Sequence, residues 1–149
     1  MSDRYRSDGG PPDGAFSMLQ RVRFGDLDAM QHMNNVEYLR FFETARIDYL
    51  MGILPEHNPG SRRQFGFIFA ECHIAYRSPA HFGEEIRTFI WPTDLRRSSV
   101  RLEFAMRSES DGRSLAEGYG VLVGYDYAAG ESRAVPDELR ERLEPELVG

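Results

Sequence analysis

Asn35-Val36-Glu37-Tyr38-Leu39-Arg40-Phe41-Phe42-Glu43-Thr44-Ala45-Arg46-Ile47-Asp48-Tyr49-Leu50-Met51 decides the fold, because it contains neither Gly nor Pro and its apolar residues recur at helical spacing. Tyr38, Phe41, Phe42, Ala45 and Tyr49, joined by Leu39 and Leu50, make a broad apolar stripe. Glu37, Arg40, Thr44 and Asp48 define the opposite side. So wide a stripe predicts a helix largely enclosed by other structure. Asn34 or Asn35 suits the N-cap, where a short polar side chain accepts from the first N–H groups, and Gly52 suits the stop.

Working outward toward the N-terminus, residues 1–15 are polar, with Gly and Pro clustered at 9–14, and read as a disordered tail ahead of a single domain at 16–149. Leu19 to Phe24 alternates as a short strand ending at Gly25. On the other side of the helix, 53–64 carries Pro55, Pro59 and Gly60 and reads as a loop. Phe65 to Tyr76 is a strand apolar on both faces, which predicts that it is covered on both. Pro79 and Gly83 mark a turn, and Ile86 to Trp91 follows as a strand. Val100, Leu102, Phe104 and Met106 alternate against Arg101, Glu103 and Arg107. Asp111-Gly112 is a hairpin signal leading into Leu115 to Tyr125. Ala116, Gly118, Gly120 and Gly124 share one face of that strand, so a helix or another backbone can come close. A short helix from Pro136 to about Leu143 ends the pattern.

Strand, long helix and then a meander of strands predict an α+β domain. Its curved antiparallel sheet, of about five strands, wraps around one long central helix. Such a sheet leaves an edge open, and pairing with a second copy would cover it.

The composition narrows the function. The chain has 149 residues, enough for one substantial core, with 41% hydrophobic and 28% charged residues, as in soluble globular domains. No apolar run reaches the roughly 18 residues that a membrane helix needs, and the first residues lack a signal core. Cys72 is the single cysteine, so no intrachain disulfide forms, and a cytoplasmic location is the default expectation. The net charge of −6 argues against a nucleic-acid partner, since phosphate neutralisation needs a basic surface.

Chemistry concentrates just before the long helix, in Arg23-Phe24-Gly25-Asp26-Leu27-Asp28-Ala29-Met30-Gln31-His32-Met33-Asn34. A helix start offers unpaired N–H groups and a positive dipole end, where charge developing on a substrate oxygen is stabilised. Carboxylates and an imidazole within a few residues of that end make a hydrolytic site. Other classes are absent: there is no Gly-rich phosphate loop, no Gly-x-Ser-x-Gly elbow and no Cys–His metal cluster. His73 reads as a packed or edge residue of its strand and His81 as solvent-facing in its turn.

Asp26-Leu27-Asp28 through Tyr38, followed by Glu43-Thr44-Ala45-Arg46, resembles the hotdog-fold thioesterases, most closely the 4-hydroxybenzoyl-CoA thioesterase group of small acyl-CoA hydrolases. The run is also similar to one in plant acyl-ACP thioesterases. The resemblance extends over about residues 19–136 and includes Tyr76-Arg77-Ser78-Pro79 with Gly83-Glu84. It implies a fold paired into homodimers and often tetramers. It also implies hydrolysis of acyl thioesters with no metal and no cofactor, CoA being part of the substrate.

Residue by residue, the resemblance makes Asp28 the catalytic carboxylate, as general base or as nucleophile. It makes the backbone N–H of Asn35 the oxyanion donor, and His32 an imidazole that orients water or thioester. Met30 stands where acyl-ACP enzymes carry Asn, which favours the CoA type. Tyr38, which ends the motif, and the basic pair Arg96 and Arg97 are assigned to substrate binding, the arginines against CoA phosphates at a subunit boundary. The plainer readings are a turn role for Asp28 and a solvated turn for Arg96 and Arg97. Asp26 reads as structural, and Glu43 with Arg46 as a local ion pair. The expected activity is hydrolysis of acyl-CoA to a carboxylate and free CoA, with no nucleic-acid or membrane partner. An acyl-ACP thioesterase and a non-catalytic acyl-CoA-binding protein are the alternatives.

Overall fold

The computed structural model describes residues 10–55 and 66–148. The order is β1 (Phe16–Arg21), α1 (Asn35–Ile53), β2 (Phe67–Tyr76), β3 (Glu85–Leu95), β4 (Ser99–Ser108), β5 (Ser114–Asp126), β6 (Glu131–Ser132) and α2 (Asp137–Leu143). The strands form one antiparallel sheet in the order β1-β3-β4-β5-β2, with β6 added to the end of β5. β3, β4 and β5 are joined by tight turns, while the flanking strands arrive from far away in sequence: β1 pairs with β3 and β2 with β5.

The apolar stripe of α1 lies on the sheet. Tyr38, Phe41, Phe42, Ala45 and Tyr49 are buried, together with Ile86, Ile90, Leu102, Phe104, Met106 and Leu122 from the strands. The ring of Phe42 stacks on Phe104 with centroids 4.3 Å apart. This closeness depends on Gly120: a Cβ there would stand 2.5 Å from the Phe69 ring and 2.9 Å from the Phe42 ring. At Gly118 a Cβ would collide with the carbonyl oxygen of His73 on the neighbouring strand. The small-residue face of β5 therefore admits both the helix and the edge strand.

Several expectations shift. β1 runs from Phe16 to Arg21 rather than from Leu19 to Phe24, because Arg23 closes on Asp26 and turns 24–26 into a short 3-10 helix. Gly52 does not stop α1. The helix continues to Ile53 because Leu54 is buried and its N–H still bonds to Leu50 O, and Pro55 follows. The sheet has six strands, since the Asp126–Gly130 turn folds a two-residue β6 back onto β5. β2 is not covered on both faces: within one chain Phe69 through His73 are exposed, because β2 is an edge with no strand beyond it. Of the expected tail at 1–15, residues 1–9 lie outside the described residues, as do residues 56–64 of the expected loop at 53–64. Among the described residues no helix is long and apolar enough to cross a membrane.

Candidate active site

The site forms where β1 ends, α1 begins and the β2–β3 turn folds over both. Arg23 donates to the Asp26 carboxylate three times, through its backbone N–H at 2.8 Å, Nε at 3.2 Å and an Nη at 3.1 Å. Burial alone would raise the Asp26 carboxyl, which is 3% exposed, but these bonds outweigh it and hold the group below the usual carboxylate range. The Asp26 carbonyl accepts from Asn34 N–H at 2.8 Å, so the same residue ties the turn to the head of the helix. Asp26 thus builds the site.

Asp28 sits two residues further, at the surface. Its Oδ1 accepts from Met30 N–H at 2.9 Å, its carbonyl accepts from Gln31 N–H at 3.0 Å, and its N–H donates to His32 O at 2.9 Å. The small loop closes with Gln31 at φ 63°, a left-handed position that a non-glycine residue occupies only under constraint. One carboxylate oxygen is fixed by the loop, while the second carries no protein hydrogen bond among the described residues.

The helix starts a few residues further on, tied to the turn through the Asn34–Asp26 backbone bond. Asn34 caps α1, its Oδ1 accepting from Val36 N–H at 3.2 Å and its carbonyl from Glu37 N–H at 2.8 Å. Helix geometry gives the Asn35 N–H no intrahelical acceptor, so it remains a donor for an oxygen brought to this end. Tyr76 at the end of β2 donates from its hydroxyl to Asn35 O at 3.1 Å. The ring of Tyr38 meets that of Tyr76 edge-on at 5.2 Å, and its hydroxyl accepts from Ala80 N–H at 3.3 Å. Tyr38 is 2% exposed, and burial raises its hydroxyl above the ordinary value, so it stays neutral. Within one chain it packs the turn to the helix and presents almost no surface to a ligand.

His32 is half-buried beside this loop and forms a one-residue β-bridge with His81. The two imidazole rings meet edge-on, with centroids 5.3 Å apart. His81 is exposed, as its turn predicts, but its contact with His32 is not legible from the sequence. Forty-odd residues separate the two, and nothing in a Pro-Ala-His-Phe-Gly turn announces the pairing.

Arg96 and Arg97 are elsewhere. They occupy the β3–β4 turn, at the opposite end of β3 from the Asp28 loop, about 30 Å away at roughly 3.3 Å per strand residue. Arg96 bonds Asp94 at 3.0 Å, and the carbonyls of both arginines accept from Arg140 on α2. One chain therefore joins Asp28, Asn35 and His32 but does not bring the arginines to them. The Glu43–Arg46 pair spans 3.9 Å, with the Arg46 guanidinium over the rings of Phe42 and Phe69.

The pattern of the thioesterase-like superfamily matches residues 22–143. The chain is 30% identical over 129 residues to the long-chain acyl-CoA thioesterase FadM of Escherichia coli (strain K12), covering 83% of this chain and 93% of that protein. Among solved structures, a thioesterase from Thermus thermophilus, complexed with coenzyme A and Zn, is 32% identical at a TM-score of 0.74. That match covers 87% of this chain and 91% of the other. A thioesterase-superfamily protein from Jannaschia sp. CCS1 superposes at a TM-score of 0.82 over 93% of this chain and 97% of its own; at 24% identity it speaks for the fold alone.

Proposed function

The chain belongs to the thioesterase-like superfamily and is a thioester hydrolase, and from that premise we propose that it cleaves acyl-CoA thioesters to a carboxylate and free CoA. One observation carries the reading: a surface carboxylate, Asp28, with one oxygen held by Met30 N–H, stands on the loop that leads into the open Asn35 N–H of α1. Asp28 either takes a proton from water, which then adds to the carbonyl carbon, or adds to that carbon itself, in which case the acyl anhydride left on Asp28 after thiolate departure is hydrolysed by a water molecule to release the carboxylate. The carbonyl oxygen gains negative charge and is met by the Asn35 N–H and the helix dipole. The C–S bond then breaks and its electron pair leaves on sulfur. Thiols ionise near pH 8.5, so the CoA thiolate departs without a dedicated acid. His32 orients the water or the thioester. These groups supply activation and charge stabilisation without a metal or other cofactor.

The acyl group is apolar on this reading, since Val36, Leu39, Phe69 and Tyr76 are exposed around the helix start and β2. A second copy of the chain pairs along β2, whose backbone edge is open. Antiparallel pairing there reverses the partner's sheet end for end, so the partner's Arg96–Arg97 turn comes toward the Asp28 end of this chain. That supplies the basic contact for CoA phosphates that a single chain lacks. A dimeric cytoplasmic enzyme is the assembly that fits, and its mass in solution by light scattering tests it.

The decisive experiment measures thiol release from a panel of acyl-CoAs of different chain length, with Asp28→Asn and a chelator-treated sample alongside. Turnover on at least one acyl-CoA, lost in the variant and kept after chelation, is expected. No turnover on any of them, or undiminished turnover in Asp28→Asn, sinks the proposal. Running one acyl chain as both CoA and carrier-protein thioester separates this reading from an acyl-ACP enzyme.

A further inference from the structure

The turn between β2 and β3, Pro79-Ala80-His81-Phe82-Gly83-Glu84, is stitched to the Asp28 loop from several sides. Met33 N–H donates to Ala80 O at 2.8 Å, and His32 bridges His81. Gly83 N–H donates to Val22 O at 3.0 Å and Val22 N–H to Glu84 O at 2.9 Å. Phe82 meets Phe24 edge-on at 6.2 Å. Where the His32 ring stands is thus set as much by this turn as by its own loop.

From its far side the turn is clamped by a residue of the β4–β5 hairpin. Arg113 donates to Glu84 Oε2 at 2.8 Å, to Pro79 O at 3.2 Å and to Ser78 Oγ at 3.2 Å. Ser108 Oγ adds a bond to Glu84 Oε2 at 2.6 Å, and the other Glu84 oxygen accepts from His81 N–H at 3.0 Å. One carboxylate therefore fixes both the hairpin and the backbone of His81. Burial pushes the Glu84 carboxyl upward, but these donors outweigh it and hold it below its ordinary value, so it stays ionised and the clamp stays closed near neutral pH.

We propose that His81 is a positioning residue for the hydrolysis: its backbone, held in place by Glu84 and, through Glu84, by Arg113, carries the ring that sets the orientation of the His32 imidazole on the Asp28 loop. This rests on the reading of His32 and Asp28 as parts of the thioesterase site. His81 itself touches no reacting atom. Its contribution is the edge contact at 5.3 Å, which restricts the turning of a half-buried ring.

The test uses the full chain and two independent readouts, the His32 ring resonances by NMR and the separate kcat and KM for acyl-CoA. In His81→Ala the His32 ring resonances move, kcat falls roughly tenfold and KM stays within about twofold, as misorientation of a bound reactant predicts. His81→Phe, which keeps a flat ring at the contact, recovers most of that loss. Arg113→Ala moves the same resonances in the same direction with a smaller fall in kcat. Unchanged His32 resonances in His81→Ala, a loss expressed in KM alone, or a His81→Phe as impaired as His81→Ala would overturn the proposal. Asp28→Asn serves as the control: if it turns over normally, the reading of the site has failed, while the resonance shifts still report on the contact.

Discussion

The 3-10 turn Phe24–Asp26 and the loop Leu27–Met33 adjoin in sequence and are opposite in character. Asp26 is buried and takes three hydrogen bonds from one arginine, while its carbonyl secures the helix cap. Asp28, at the surface, spends one oxygen on the Met30 N–H, and its other oxygen accepts no protein hydrogen bond among the described residues. The difference teaches which carboxylate is free to meet a ligand under the proposed function. A fully partnered carboxylate has no capacity left for substrate, and a half-partnered one is held still yet remains reactive.

The largest expected effect tests the exposed member. Asp28→Asn lowers thiol release by roughly 10² to 10⁴, the range of general-base catalysis, with the unfolding free energy changed by less than about 0.5 kcal/mol. A variant that lost stability as well would break the comparison. Asp26→Ala is the mirror image. It removes the carboxylate that pins Arg23 but keeps the Asp26 carbonyl that holds Asn34, costing on the order of 1 kcal/mol in urea unfolding, since the exposed Arg23 side chain returns to water, while its folded fraction remains far more active than Asp28→Asn.

The same pair separates with pH. The Asp26 carboxyl is held below its ordinary 3.8 in the folded chain, so its contribution to stability is complete above that value and is lost as pH falls through the lower folded one. The stability gap between parent and Asp26→Ala, full near neutrality, should therefore narrow below about pH 4. An unchanged gap at pH 3 would mean that the Arg23–Asp26 pair is not what stabilises the turn. The smallest effect belongs to Gln31, whose φ of 63° suits glycine better. Gln31→Gly changes stability by no more than about 1 kcal/mol and lowers kcat modestly by letting the Asp28 loop move.

Much of this is legible in the residues. The apolar stripe of α1, the Asn34 cap, the Asp111-Gly112 hairpin and the small-residue face of β5 each follow from a local rule, and each appears where the rule puts it. The ends of elements are less legible, because tertiary contacts set them: Leu54 draws α1 past Gly52, and Arg23 bends the chain before β1 can reach Phe24. The apolar character of β2 is plain in its residues but its cover is not, since one chain does not provide it. In the site, Asp28, His32 and Asn35 are neighbours in sequence and so are found together. The arginines at 96 and 97 and the ring of His81 are placed by sheet topology, which no spacing along the chain encodes.

That topology also bears on how the molecule comes to exist. β3, β4 and β5 follow one another through short turns, so this meander closes with little loss of chain entropy. β1 must find β3 with α1 and β2 between them in the chain, and β2 must find β5 across the two strands that separate them. Long-range closures of this kind are slow steps in folding. The central strands should therefore gain protection from hydrogen exchange first, and the site-bearing turn and the open edge last. A newly made chain would be an ordered meander before it could be an enzyme.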